Sequence, residues 1–357
     1  MLIAIEMLKF FLPGNNSAMR AAIGAPPNPA GEIHPLTCRD FIEYLRIDER
    51  VSSEGLDEEA FQITALAAVL ERTGYMVGDP GALSGYPHYR TVHADGTAAQ
   101  AGGVVWLAEA LGPELIIRAI GAATIAITGK IPLTGDAATG TGLLLDPRHV
   151  LTNQHVVKGM KVDDELRTSA ISPLYAMPQD EECEQRIVRV VRCHAHPTID
   201  VAVIEIEPTD TEVEDQLDFV TRGIAFRAAR WEDDTWTFGY PRVPSAITQP
   251  LVVHKGGVVN PKVHSMFGPD YILFSATARP GNSGGPIVAQ DGRVIGIVTQ
   301  SLETSDYSTA ERDEDAPAPI ATSPFYAGVP TPQIQKALAD LGFGALLNIE
   351  TWQTPAR

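Results

Sequence analysis

The sequence predicts a mainly β protein, a sandwich or barrel, preceded by a small helical region. Three observations carry this reading. Beyond residue 121, nine short β-rich runs recur between turn residues. No long helical patterns alternate with them, which argues against a parallel α/β sheet. Gly (31) and Pro (27) are both high without a G-X-Y period, as expected of a chain with many turns.

In chain order, the opening MLIAIEMLKFFL is broken by Glu6 and Lys9, with no basic segment before it and no clean cleavage site after it. It does not read as a leader peptide, and Met7 and Met19 are alternative starts. Residues 13–36 are rich in Pro, Gly and Asn, so residues 1–36 are expected to be a mobile segment and linker. Residues 37–120 read as a helical region. Thr37 is placed to cap a helix over 38–47, with Phe41, Ile42 and Leu45 on one face. A longer helix is expected over 57–73, with Phe61, Leu66, Val69 and Leu70 as its stripe and Gly74 as its stop. Residues 75–97 are turn-rich, and a helical stretch over 98–120 is broken at Gly112-Pro113. The strand runs then fall at 123–128, 141–146, 149–152, 186–193, 200–206, 235–240, 250–259, 271–277 and 293–299. A helix at 331–341 closes a domain over 121–345, leaving a tail at 346–357.

Composition removes several function classes. A length of 357 residues suggests about two domains. The net charge of −18 repels phosphate backbones, so nucleic acid is not an expected partner. No apolar run reaches 18 residues, so no membrane span is expected. The three cysteines, Cys38, Cys183 and Cys193, form no disulfide framework and favour a reducing, cytoplasmic setting. Cys193-His194-Ala195-His196 superficially resembles a metal cluster. On a strand its cysteine and histidines face opposite ways, and the spacing fits no zinc pattern, so neither a metal nor a cofactor is expected.

The sharpest chemical feature is Gly281-Asn282-Ser283-Gly284-Gly285-Pro286. A serine among glycines suits a nucleophile on a tight turn, where Gly281 lets backbone N–H groups converge on one point. The same pattern fits the G-x-S-x-G elbow of α/β-hydrolases, but that arrangement needs a histidine after the serine. None of the nine histidines follows Ser283. The order His, Asp, Ser remains, with His155 where a strand gives way to a helical turn and Asp200 at the head of an apolar strand.

The segments GTGLLLDPRHVLTNQHVV, HPTIDVAVIEIE and ARPGNSGGPIVAQDGRVIGIVTQ resemble the His, Asp and Ser segments of bacterial trypsin-like serine peptidases, including the HtrA-type protease core. TFGYP and FYAGVPTPQIQKAL resemble further segments of that core, so the likeness covers about residues 120–342. The resemblance implies a chymotrypsin-like fold of two six-stranded antiparallel β-barrels. It implies His155 as general base and acid, Asp200 as its orienting carboxylate and Ser283 as nucleophile. The N–H groups of Gly281 and Ser283 would form the oxyanion hole. The primary pocket would be lined near Thr277, Ala278, Thr299, Gln300, Ser301 and Gly328. None of these is acidic, so small or medium apolar side chains are expected there rather than Arg or Lys.

Two departures stand out. Only 74 residues follow Ser283, too few for the PDZ domain of HtrA proteins, and Arg279 replaces a small polar residue. An acidic insertion, Glu303–Pro319, is expected beside the pocket, suited to attracting basic substrates or gating the site. The sequence thus points to a serine endopeptidase acting on proteins or peptides. It would be active or latent until a regulatory partner acts through residues 37–120. A catalytically silent or latent protease fold used as a binding module, and an esterase on the same fold, remain open.

Overall fold

The computed structural model describes residues 2–30, 32–47, 56–79, 87–92, 105–169, 185–247, 249–265, 268–299 and 325–350. The chain divides into two compact units, one of Met1–Thr97 with Glu109–Leu111, the other of Ala98–Ala108 with Gly112–Arg357.

The first unit contains α1 (Leu2–Phe10), α2 (Asn16–Ala22), β1 (Leu36–Thr37), α3 (Cys38–Ile47), α4 (Leu56–Arg72), β2 (Met76–Asp79) and β3 (His88–Thr91). Its strands form a small antiparallel sheet in the order β1-β3-β2. Residues 1–36 therefore depart from the mobile linker expected of them. Phe10 and Phe11 are buried, and their rings meet Phe41 and Tyr89 at 5.2 and 5.6 Å. The apolar residues of this opening segment, among them Met7, Phe10 and Phe11, serve here as core. Thr37 starts α3 as the sequence suggests. Its N–H donates to Asp40 Oδ2 at 2.7 Å, and Asp40 N–H donates back to Thr37 Oγ1 at 3.3 Å. On α4 the inward line runs through Ile63, Ala67 and Leu70. Phe61 lies about 200° around the helix from Ile63 and is 75% exposed, contrary to the expected stripe.

In the second unit, α6 (Pro113–Ala122) follows the short α5 (Ala108–Leu111), most of which is assigned to the first unit. Ile116 and Ile120 of α6 are buried, and the helix packs on strands of this unit, so the protease-like unit begins before residue 121. Next come β4 (Thr124–Lys130), β5 (Ala137–Asp146), β6 (His149–Thr152), α7 (Gln154–Gly159), β7 (Lys161–Val162), β8 (Glu165–Ser169), β9 (Gln185–Ala195) and β10 (Ala202–Pro208). They make one antiparallel sheet of seven strands, ordered β7-β4-β5-β6-β10-β9-β8. The expected first six-stranded barrel is thus a curled seven-stranded sheet. Its far strand β8 comes round against β4 without hydrogen-bonding to it, because the two-residue β7 occupies that edge.

After α8 (Thr211–Thr221), capped by Asp210 accepting from Val213 N–H at 2.9 Å, the second set of strands begins. It comprises β11 (Asp234–Gly239), β12 (Val252–Val263), β13 (Tyr271–Phe274), β14 (Pro286–Ala289), β15 (Val294–Val298) and β16 (Tyr326–Pro330). They close into a six-stranded barrel, β11-β12-β13-β16-β15-β14, followed by α9 (Thr331–Asp340). Its core is Val258, Ile272, Phe274, Ala276, Ile287, Ala289, Ile295 and Val298. Beside this core, Arg227 bonds both carboxylate oxygens of buried Asp233 and reaches Asp291 at 2.6 Å. The expected tail is partly laid down. Phe226 N–H donates to Asn348 O at 2.8 Å, and Arg293 pairs with Glu350 at 2.8 Å.

Candidate active site

His155 and Asp200 are brought together by two chain reversals. β6 ends at Thr152, Asn153 is extended, and α7 starts at Gln154, which places His155 in the first turn of α7. Asp200 closes a turn just before β10. The turn is built around buried His196, whose Nδ1 accepts the N–H groups of Thr198 at 3.2 Å and Ile199 at 2.8 Å. With Nδ1 so occupied, Nε2 carries the proton and donates to Asp340 at 3.2 Å. Asn153 Nδ2 donates to Asp200 O at 2.9 Å, and Gln154 Nε2 donates to His196 O, which ties the two reversals together.

The Asp200 carboxylate meets His155 on three sides. His155 Nδ1 lies 2.8 Å from Oδ2 and 3.0 Å from Oδ1, and His155 N–H donates to Oδ1 at 3.0 Å. An ionised carboxylate only accepts, so the proton sits on Nδ1 and Nε2 is left as an acceptor. The Thr299 hydroxyl donates to Asp200 Oδ2 from the end of β15. Burial pushes the Asp200 carboxyl upward. The side-chain bond and charge of His155, the Thr299 hydroxyl and the His155 backbone N–H outweigh it, and the group is held below the usual carboxylate range.

Ser283 lies on the second of two consecutive turns. Asn282 N–H donates to Arg279 O at 2.9 Å, with Pro280 second and Gly281 third at φ +104, a type II turn. Gly285 N–H then donates to Asn282 O at 2.9 Å, with Gly284 at φ +85. The loop is stitched to β5, where Thr141 N–H donates to Ser283 O at 2.8 Å and Thr141 Oγ1 donates to Gly281 O at 2.6 Å. It is stitched to β15 by Gly284 N–H donating to Val298 O at 2.8 Å. A Cβ on Gly284 would come within 2.3 Å of Thr152 Oγ1, so only glycine lets the turn settle on the strand that leads to His155. Among the described residues, neither Gly281 N–H nor Ser283 N–H is spent on a protein acceptor.

Of the expected pocket residues, Thr277, Ala278, Thr299 and Gly328 lie among the described residues. Thr299 points its hydroxyl at Asp200, and Ala278 packs on the barrel core. At Gly328 a Cβ would meet Ile287 at 2.5 Å, so that space is already filled. Thr277 is half-buried. Gln300, Ser301 and the acidic insertion at 303–319 lie outside the described residues. Sequence reasoning missed the hydroxyl of Thr299 as a partner for Asp200. The two are 99 residues apart, and no spacing rule links them.

The would-be metal residues have other partners. His194 pairs with Glu205 at 2.9 Å, and His196 is held in its turn, while Cys183 lies outside the described residues. Among the described residues no group of three or more His, Cys, Asp or Glu is placed to hold a metal ion. No helix among them is long and apolar enough to cross a membrane.

The closed six-stranded barrel and the curled sheet are consistent with a trypsin-like fold. Residues 140–297 match the family model of the trypsin-like peptidase domain, and the chain carries that domain. It is 30% identical over 183 residues to an uncharacterised protein of Sinorhizobium fredii, covering 49% of this chain and 24% of that one. It is 27% identical over 178 residues to a probable periplasmic DegP-like serine endoprotease of Chlamydia muridarum, covering 49% and 30%. The chain thus spans less than a third of the length of these relatives. A protease of M. tuberculosis crystallised in its active form aligns with 64% of this chain and 84% of its own, at 18% identity and a TM-score of 0.41.

Proposed function

We propose that the domain is a serine endopeptidase working through an acyl-enzyme. The observation that carries this is the His155–Asp200 pair, with the ring held from Nδ1 at 2.8 Å and Nε2 left as an acceptor, beside the docked Ser283 turn. In this reading Nε2 takes the Ser283 Oγ proton as Oγ attacks the scissile carbonyl. Asp200 stabilises the imidazolium that results. The N–H groups of Gly281 and Ser283 receive the oxyanion, each worth about 10²–10³ in rate in comparable sites. His155 then hands its proton to the leaving amine. A water deprotonated by His155 cleaves the acyl ester and returns Ser283. The chemistry calls for no metal or cofactor, and its substrates are proteins or peptides.

The second reading, a silent or latent protease fold used as a binding module, needs an oxyanion loop that has turned its donors inward. The type II turn at 279–282 and the unspent N–H groups favour the active reading. Regulation through a partner at residues 37–120 belongs to the same proposal. So does a reducing compartment, in keeping with Cys38 and Cys193 as free thiols.

The test is covalent labelling with a fluorophosphonate, read by intact mass. The proposal expects one adduct on the wild type and none on Ser283→Ala or His155→Ala. A wild type that never labels, alone or without its first unit, supports the binding module instead.

A further inference from the structure

Thr141 of β5 is fully buried, and each of its polar groups is bonded to the Ser283 turn or to a support of that turn. Its N–H donates to Ser283 O at 2.8 Å. Its hydroxyl accepts from Tyr240 N–H at 3.0 Å and donates to Gly281 O at 2.6 Å. A hydroxyl has one hydrogen to give, and with Tyr240 N–H as its donor that hydrogen goes to Gly281. The Thr141 carbonyl accepts from Thr152 Oγ1 at 2.7 Å, on the strand that leads to His155. Valine has the same shape as threonine, so packing alone does not require this hydroxyl.

The order of peptide units along the turn gives these bonds their meaning. A peptide unit is planar, so holding its C=O and its N–H holds the whole unit. The unit joining Gly281 to Asn282 is held at both ends, Gly281 O by the Thr141 hydroxyl and Asn282 N–H by Arg279 O at 2.9 Å. The unit joining Ser283 to Gly284 is also held at both ends, Ser283 O by Thr141 N–H and Gly284 N–H by Val298 O at 2.8 Å. These two held units alternate with the two that carry the N–H groups of Gly281 and Ser283. One buried side chain, 140 residues from Gly281 in sequence, thereby sets the frame from which both N–H groups project.

We propose that Thr141 is a positioning residue for the acyl-transfer chemistry. Its hydroxyl and N–H hold the Gly281 and Ser283 N–H groups where they receive the oxyanion. This rests on the reading of Ser283 as nucleophile given above.

The test follows fluorophosphonate labelling over time by intact mass and separates kinact from KI. In this step Ser283 Oγ bonds phosphorus, fluoride leaves, His155 takes the hydroxyl proton, and the phosphonyl oxygen takes the place of the oxyanion. Thr141→Val keeps the shape of the side chain, and Thr141→Ser keeps the hydroxyl. Thr221→Val is the control for stability alone, because it removes another buried threonine hydroxyl, bonded to Leu217 O at 2.8 Å in α8. Thr141→Val should lose about 10²-fold in kinact with KI little changed. Thr141→Ser should recover most of that loss, and Thr221→Val should melt lower with the wild-type kinact. Should the valine variant not fold, Thr141→Cys, whose thiol is a weak donor, takes its place with the same expectation. A folded Thr141→Val that labels as fast as the wild type overturns the inference. So does a serine variant as slow as the valine one, or an equal loss of kinact in Thr221→Val. A wild type that takes no label overturns the Ser283 reading itself, which tells the two failures apart.

Discussion

Thr299 and His155 meet the same carboxylate oxygen, Oδ2 of Asp200, the hydroxyl from the closed barrel and the ring from the curled sheet. Asp200 is therefore clamped from both halves of the unit, and the lowering of its pKa draws on both partners.

Replacing Thr299 by Val removes a bond to a charged group, worth about 1.5–3 kcal/mol. We expect kcat to fall roughly tenfold or more with KM little changed, and Thr299→Ser to recover most of it. The pH dependence follows from the sign of the shift. A carboxyl held low when folded adds stability that is fully present above its unfolded value, about 3.9, and is lost as pH falls through the folded value. Losing Thr299 raises that folded value toward the unfolded one, so Thr299→Val should be less stable than the wild type near neutral pH and its melting temperature should fall less on going to acid pH. Melting temperature against pH reads this directly, and identical acid limbs would refute the clamp.

Gly281→Ala places a Cβ 2.5 Å from Tyr240 O at φ +104. The turn must shift or flip, and with it the N–H proposed as an oxyanion donor. The expected cost is about 10²–10³ in kcat/KM, with about 1–3 kcal/mol of lost stability. A variant that folds normally and keeps its activity would remove Gly281 from the mechanism.

Arg227→Met leaves Asp233 and Asp291 buried without their cation. Breaking such a cluster costs about 3–5 kcal/mol. By contrast, Glu207→Ala breaks the exposed Arg189–Glu207 pair at 3.1 Å and should change stability by less than about 1 kcal/mol. Urea unfolding of the two variants side by side tests the difference, and similar midpoints would contradict it.

The parts of this fold that sequence exposed were those with strong local signals. All nine β-rich runs became strands, because alternating or continuous apolar stretches between turns leave little alternative. The Thr37 and Gly74 signals bounded their helices for the same reason. What stayed hidden depends on distant partners. β14, Pro286–Ala289, is a strand because it fits between β11 and β15. Phe10 and Phe11 looked like part of a loose N-terminus until Phe41 and Tyr89 closed over them. At the site, the motifs named His155, Asp200, Ser283 and Gly281, since each carries a local pattern of glycine, turn or strand. Thr299 was read as pocket lining because its bond to Asp200 spans two sets of strands.

The most direct test of the central claim, that His155, Asp200 and Ser283 act as one unit, is a double-variant comparison of peptide-bond cleavage. Residues that work as a unit lose activity together, so Ser283→Ala, His155→Ala and the double variant should each fall by about 10⁵-fold or more and to nearly the same residual rate. Losses that multiply in the double variant, or a Ser283→Ala protein that still cleaves, would contradict it.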